Sequence, residues 1–473
     1  MRSPKEDLEL FKSDYNSIAS TYRDGSLSKS DLDAWKLVQL RKVLGKAKKN
    51  SPFYQCLLAE IDIESISLDS LEKIPFTTKD DLRTHMQGVM SGSMRDAAFY
   101  YETTGTTGAA TPCPRDKKES YASNLQLQYA YEDVINSLFK DGEKPILGIM
   151  GPTEVHSFSD TLESIAFELD MCSAKIWPGS PVIGFDKCLS LIKNLGIEVL
   201  ATSPGQVMTL AKEAKKRGLD PLTDFSVKAF MLSGELCTPA LAKNLESLWG
   251  ANIFNSLYGS QEAFVIASTT PNNELRPHLP NYIFEVIDPT SGERIGDSGI
   301  GELAVTNLVD GVKPLIRYRT GDIVRLEDTK SGNLFERYRI QVVGRVKDAV
   351  TLNGINFTAA EIEETIMGNI TGCLGYQIII ANTSNKDSII VKFELPGLRD
   401  KEKKSLISEL TSRVQDDLCC ESTIMIVDDL SDHVNLGGWI KWKAARLIDT
   451  RETLDHSDDP EVSTNAILER LNK

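Results

Sequence analysis

The chain's chemistry is concentrated in a few short runs. The first is Thr103-Thr104-Gly105-Thr106-Thr107-Gly108, inside Tyr-Tyr-Glu-Thr-Thr-Gly-Thr-Thr-Gly-Ala-Ala. Glycine permits positive φ and close approach to an anion, and each threonine offers a donor hydroxyl, so the run suits phosphate oxygens. A polar surface turn has the same composition. It is not a Walker loop, because Ala109 and Ala110 follow Gly108 where that motif requires Lys-Ser or Lys-Thr. Further runs are Gly234-Glu235-Leu236, Asn255 to Glu262 (Asn-Ser-Leu-Tyr-Gly-Ser-Gln-Glu), Tyr318-Arg319-Thr320-Gly321-Asp322 and Gly344-Arg345-Val346-Lys347-Asp348. The last is Gly438 to Arg446, with Lys441 and Lys443 on either side of Trp442. Singly, each has an ordinary structural explanation. Tyr258 suits a core, Asp322 a turn and Glu262 a solvated helix end, while cations among aromatics suit an exposed amphipathic segment with snorkelling stems.

Elements must position these runs. Residues 1 to about 95 are expected to be mainly helical, with Ile74-Pro75-Phe76-Thr77-Thr78-Lys79-Asp80 as a turn and helix cap. From about 99 to 306, short apolar runs at 146–150, 174–177, 197–200, 227–232 and 252–255 alternate with amphipathic stretches. Between two of them, Phe185, Leu189, Ile192 and Leu195 share one helical face. That pattern predicts α/β layering, with ligands at the C-terminal strand ends. A β-rich part is expected to begin at Gly301-Glu302-Leu303-Ala304-Val305-Thr306, and a smaller α+β unit to follow the Gly344–Asp348 run. The fold class is therefore α/β: a large N-terminal domain (1–347) of helix-covered sheets plus a β-rich subdomain, and a small mobile C-terminal α+β domain (348–473).

Composition narrows the function. A chain of 473 residues exceeds one ordinary core, and 41% hydrophobic with 26% charged residues is globular. No apolar run approaches the ~20 residues of a membrane span. A charged N-terminus without the apolar core of a secretory signal leads to an expected cytoplasmic location. The net charge of −15 argues against general nucleic-acid binding. Eight cysteines show no Cys-x-x-Cys pair, so buried free thiols are expected.

Taken in order, TTGTTG, SLYGSQE, YRTGD, GRVKD and the Lys-x-x-Arg ending resemble the adenylate-forming superfamily of acyl-CoA synthetases and adenylation domains. The Glu-Thr-Thr-Gly-Thr-Thr-Gly wording and the size look most like the phenylacetate-CoA ligase branch, over roughly residues 75 to 450. The resemblance implies ATP-dependent activation of a small carboxylic acid to an acyl-adenylate with release of pyrophosphate, then transfer to a thiol. It gives Thr103, Thr104, Gly105, Thr106, Thr107 and Gly108 the leaving phosphates. Tyr258 and Gly259 become the adenine platform, Glu262 the magnesium-linked carboxylate, and Gly234, Glu235 and Leu236 the other adenine face. Asn255 is given the exocyclic amine, Asp322 the ribose diol and Arg345 a second ribose contact. Lys443, paired with Arg446, is the implied catalytic lysine; Trp442 stands where family members have glycine, and Lys441 remains its rival. Asp348 is the implied hinge, and Gly354 the turn that approaches the pantetheine thiol. A zinc cluster carried by some relatives is not expected, since residues 265–343 contain His278 and no cysteine.

Coenzyme A follows the branch resemblance as acceptor. An acyl or peptidyl carrier protein would suit a standalone adenylation enzyme of secondary-metabolite biosynthesis. A non-catalytic adenylate-binding relative and an adenylation enzyme with a non-thiol acceptor are the alternatives. The acid pocket is expected at Gly151 to Asp160, with His156, Ser157 and Asp160, and near Trp177. Asp160 or Glu154 would bind the amine of an amino acid, and a helix N-cap explains Asp160 equally well. Aryl acid and amino acid both remain open.

Overall fold

The computed structural model describes residues 4–103, 110–296, 298–383, 386–430, 446–451 and 468. Contacts divide the chain into two units, neither continuous in sequence. The first comprises Met1–Gly142, Thr153–Asp170 and Ser256–Val342; the second comprises Glu143–Pro152, Met171–Asn255 and Val343–Lys473. The expected boundary between residues 347 and 348 falls inside the second unit, in the 3-10 turn Val346–Asp348.

The architecture is the expected mixed α/β. In the second unit the five apolar runs become strands Leu147–Ile149, Ser173–Lys175, Val199–Thr202, Ala229–Leu232 and Asn252–Asn255. They form one sheet with every pair parallel, Leu147–Ile149 lying between Ser173–Lys175 and Val199–Thr202. The helix Gly184–Leu195 buries Cys188, Leu189 and Ile192, but Leu195 is exposed at its C-terminal end, where Gly196 ends the helix at φ +63°. Further along, hairpin Val350–Leu352/Ile355–Phe357 turns at Asn353 and Gly354, both at positive φ, which favours these residue types. A four-stranded sheet follows, ordered Glu421–Val427, Lys386–Glu394, Gly375–Thr383, Leu447–Asp449. Its apolar residues join Leu200, Phe230, Leu241 and Leu245 in one core.

The first unit corrects one expectation. The β-rich part begins at Leu257, well before residue 300, with the antiparallel strands Leu257–Ser260, Phe264–Thr269 and Leu275–Pro277. A five-stranded sheet follows, ordered Arg294–Gly296, Tyr282–Ile287, Gly299–Asn307, Tyr318–Asp328, Tyr338–Arg345. Every residue of Phe264–Thr269 and of Tyr282–Ile287 is buried, so the apolar-polar alternation that announces a strand is missing. The N-terminal region is helical as expected, and Thr78 caps the helix Lys79–His85 through a reciprocal bond pair with Asp81. The cysteines are all free, but Cys56, Cys172 and Cys419 are exposed, against the expectation of burial. No helix among the described residues is long and apolar enough to cross a membrane.

Candidate active site

The Gly/Thr run connects strands Phe99–Glu102 and Pro112–Arg115 of an antiparallel hairpin. Residues Thr104, Gly105, Thr106, Thr107 and Gly108 lie outside the described residues; Thr103 and the loop stem are described. Thr103 N–H donates to Thr111 O at 3.1 Å, and Thr111 N–H donates to Thr103 Oγ1 at 2.8 Å. The stem is therefore pinned on both sides by one threonine pair. Arg83 Nε, from the helix Lys79–His85, donates to Thr111 Oγ1 at 3.1 Å.

Tyr258 and Asp322, assigned from separate motifs, meet in the first unit. The Tyr258 hydroxyl donates to Asp322 Oδ2 at 2.8 Å. Asp322 sits at a turn-like bend in its strand, its own N–H donating to Thr320 Oγ1 at 3.1 Å. Gly259 is required by packing: a Cβ there would lie 2.1 Å from Phe264 O, at a register shift between Tyr258 and Gly259. Only glycine allows that approach.

Glu262 is no solvated helix end. Its side chain is 3% exposed, and Lys79 Nζ lies 2.7 Å from Oε1. Burial opposes the charge, yet Lys79 and then Lys313 outweigh it and hold the carboxyl below its ordinary range. Lys313 Nζ donates to the Glu262 carbonyl at 2.7 Å. The sequence reading missed Lys79 and Lys313; Lys79 was visible only as a cap-proximal residue.

Three expected acid-pocket residues also lie in the first unit. His156, not Asp160, caps the helix Ser157–Glu168, its Nδ1 accepting from Phe158 N–H at 3.2 Å. Asp160 stands in the first turn, where Oδ2 accepts from the Tyr101 hydroxyl at 3.0 Å. The N-cap explanation of Asp160 is thereby replaced by a tyrosine contact. With Nδ1 accepting, Nε2 carries the His156 proton, and it lies 3.1 Å from the Gln261 amide. Turning the Gln261 oxygen toward Nε2–H completes this pair and satisfies an otherwise orphaned buried oxygen. Ser157 is buried beside them in sequence, while Trp177 belongs to the second unit and is half-buried.

In the second unit, Gly234 takes φ +85° and turns the chain after strand Ala229–Leu232. Glu235 is bound by Arg446: Nη1 lies 2.7 Å from Oε2. Arg446 Nε also pairs with Glu363 Oε1 at 2.9 Å, and Nη2 donates to Leu236 O at 2.9 Å. Burial disfavours the guanidinium charge, but Glu363, Tyr376 and Glu235 raise its pKa well above the ordinary value. Asn255 Nδ2 donates to Cys237 O at 3.4 Å, and Arg345 and Asp348 are exposed near the 3-10 turn. Lys441 and Lys443 lie outside the described residues.

Comparison with known proteins shows what the chain is similar to. No family model matches the chain. A phenylacetate-coenzyme A ligase of Thermus thermophilus is 26% identical over 401 residues, covering 81% of this chain and 86% of that protein. One from Aromatoleum evansii is 24% identical over 448 residues, covering 90% and 96%. The solved 2-hydroxyisobutyryl-CoA ligase in the postadenylation state superposes with a TM-score of 0.76 at 19% identity, covering 94% of each chain. Over most of its length the chain is similar to phenylacetate-coenzyme A ligases, and it shares the fold of an adenylate-forming ligase. The loop stem, the Tyr258–Asp322 pair and the buried Glu262 with its Lys79 partner all belong to the first unit.

Proposed function

We propose that this protein activates a small carboxylic acid with ATP, forming an acyl-adenylate and releasing pyrophosphate, then transfers the acyl group to the thiol of coenzyme A. The observation that carries this is Glu262, a carboxylate held ionised in a buried setting four residues after the tyrosine that hydrogen-bonds Asp322. A hard, charged oxygen with a cation already beside it fits magnesium. That ion would neutralise the phosphates as pyrophosphate departs.

The chain's own residues do the remaining work. The Thr103–Gly108 loop, with Thr106 at its centre, cradles the leaving phosphates through backbone N–H groups and hydroxyls. In the first unit Asp322 takes the ribose diol and Tyr258 with Gly259 contacts adenine. Lys443 bridges the attacking carboxylate oxygen and the α-phosphorus oxygens, which stabilises charge where the new bond forms and the bond to pyrophosphate breaks. A small domain from residue 348 then turns about Asp348 and brings Gly354 toward the pantetheine thiol. His156, Ser157 and Asp160, which share the first unit, shape the acid pocket. Tyr101 already engages one Asp160 oxygen, so an aryl acid without an amine meets no unpaired carboxylate there, and that observation favours the aryl class.

Acid-dependent pyrophosphate exchange over a panel of aryl and amino acids, followed by thioester formation with coenzyme A and with a phosphopantetheinylated carrier protein, tests each part. Exchange with aryl acids and a coenzyme A thioester are expected. Transfer to the carrier alone would replace the acceptor; nucleotide binding without exchange would make the protein a non-catalytic relative.

A further inference from the structure

The helix Lys79–His85 carries two cations one helical turn apart, and they touch two different parts of the phosphate site. Residues at i and i+4 share a helix face. Lys79 lies on Glu262 Oε1 at 2.7 Å, while Arg83 Nε donates to Thr111 Oγ1 in the stem of the Gly/Thr loop at 3.1 Å. The backbone leading into this helix is fixed: Thr77 N–H donates to Arg317 O at 3.1 Å and Arg319 N–H donates to Thr77 O at 2.9 Å, which ties it to the strand that carries Asp322. Thr78 and Asp81 cap the helix reciprocally. The helix is thus anchored to the ribose-side strand and the loop stem, and its lysine reaches the third element, Glu262.

The two sides of the Lys79–Glu262 contact are unequal. Glu262 is 3% exposed, whereas the Lys79 side chain is 43% exposed. The carboxylate cannot move to water, but the ammonium can. The half-exposed ammonium keeps solvent available to it if it swings away from Oε1. Lys313 stays in place, since its Nζ is buried and donates to the Glu262 carbonyl rather than to the carboxylate. For Glu262 to hold a divalent ion through Oε1, Lys79 has to leave that oxygen. The Gly/Thr run contains no cation of its own, and Ala109 and Ala110 follow it.

We infer that Lys79 is a two-position cation: it neutralises Glu262 in the nucleotide-free protein, and it turns onto the leaving pyrophosphate when Glu262 takes up a divalent ion. Its charge is used twice. A buried carboxylate is never left bare before nucleotide arrives, and the pyrophosphate gains a cation on the side that the loop cannot supply. The second half of this inference rests on the adenylation reading; the first half does not.

Binding measurements on the full chain separate the two. In calorimetry with magnesium pyrophosphate and, separately, AMP, Lys79→Met weakens pyrophosphate binding at least tenfold and leaves AMP binding within about twofold, because AMP lacks the leaving phosphates. Lys79→Arg keeps most of the pyrophosphate affinity. Mn2+ uptake by nucleotide-free protein, followed by loss of the free-ion electron paramagnetic resonance signal, rises in Lys79→Met because the competing ammonium is gone. Lys79→Gln serves if the methionine variant does not fold. Unchanged pyrophosphate affinity and unchanged Mn2+ uptake, with AMP binding and acid-dependent exchange intact, overturn the inference alone. If the wild-type chain binds neither AMP nor pyrophosphate, the adenylation reading fails with the second half, and Mn2+ uptake still decides the first.

Discussion

Replacing Arg446 by methionine should be among the most damaging single changes in the second unit. The guanidinium lies 2.7 Å from Glu235, 2.9 Å from Glu363 and 2.9 Å from the Leu236 carbonyl, and the side chains of Glu235 and Glu363 are only 6% and 10% exposed. Methionine approximates the stem but supplies no charge, so two nearly buried carboxylates lose their shared cation. Truncating one partner of a buried ion pair costs about 3–5 kcal/mol, mostly from the uncompensated charge left behind. The second carboxylate argues for the upper half of that range. Chemical denaturation followed by Trp177 and Trp249 fluorescence, with hydrogen exchange of segments 359–367 and 375–383, would measure the loss. A triple variant, Arg446→Met with Glu235→Gln and Glu363→Gln, should recover most of it, because the glutamine amides need no counter-ion. A loss below about 1 kcal/mol, or no recovery in the triple variant, would refute the argument that charge burial, rather than side-chain packing, makes Arg446 essential.

Other perturbations address the site. Glu262→Gln should slow pyrophosphate exchange at least tenfold, about 1.4 kcal/mol in transition-state stabilisation, while the thermal midpoint changes little because Lys79 can turn to solvent. Lys443→Ala should abolish adenylation yet spare transfer from a supplied acyl-adenylate, whereas Lys441→Ala should be mild; equal damage to both half-reactions would reject the assignment. Burial, then the neighbouring Asp116 charge, holds the Glu119 carboxyl above its ordinary range. A carboxyl raised on folding contributes stability at acidic pH that is lost as pH rises through its folded value. Thermal midpoints from pH 5 to 9 should therefore fall less steeply in Glu119→Gln than in the wild type.

Several features were legible before any coordinates. The parallel sheet was visible because strands buried on both faces between helices appear as short apolar runs separated by amphipathic stretches, and all five became strands. A turn and helix cap within residues 74–80 was visible because capping is local chemistry, and Thr78 supplies the cap. The antiparallel strands Phe264–Thr269 and Tyr282–Ile287 were not, since complete burial erases the alternation on which the method depends. The free thiols at 56, 172 and 419 were misjudged because burial depends on neighbours that composition does not name.

The order of the motifs was a property of the sequence alone, and it was enough to suggest a superfamily because five weak signals in a fixed order exclude most alternatives. Which side chains meet was decided only by the tertiary structure. Tyr258 and Asp322 are 64 positions apart, and Arg446 and Glu363 are 83 apart. Lys79 and Glu262 are brought together by a helix and the turn between strands Leu257–Ser260 and Phe264–Thr269, which belong to separate stretches of the first unit's sequence. Ion pairing and hydrogen bonding act over a few ångströms, whereas sequence patterns report only the periodicity of single elements. Lys79 therefore read as one more polar residue beside a cap until the fold set it against a buried carboxylate.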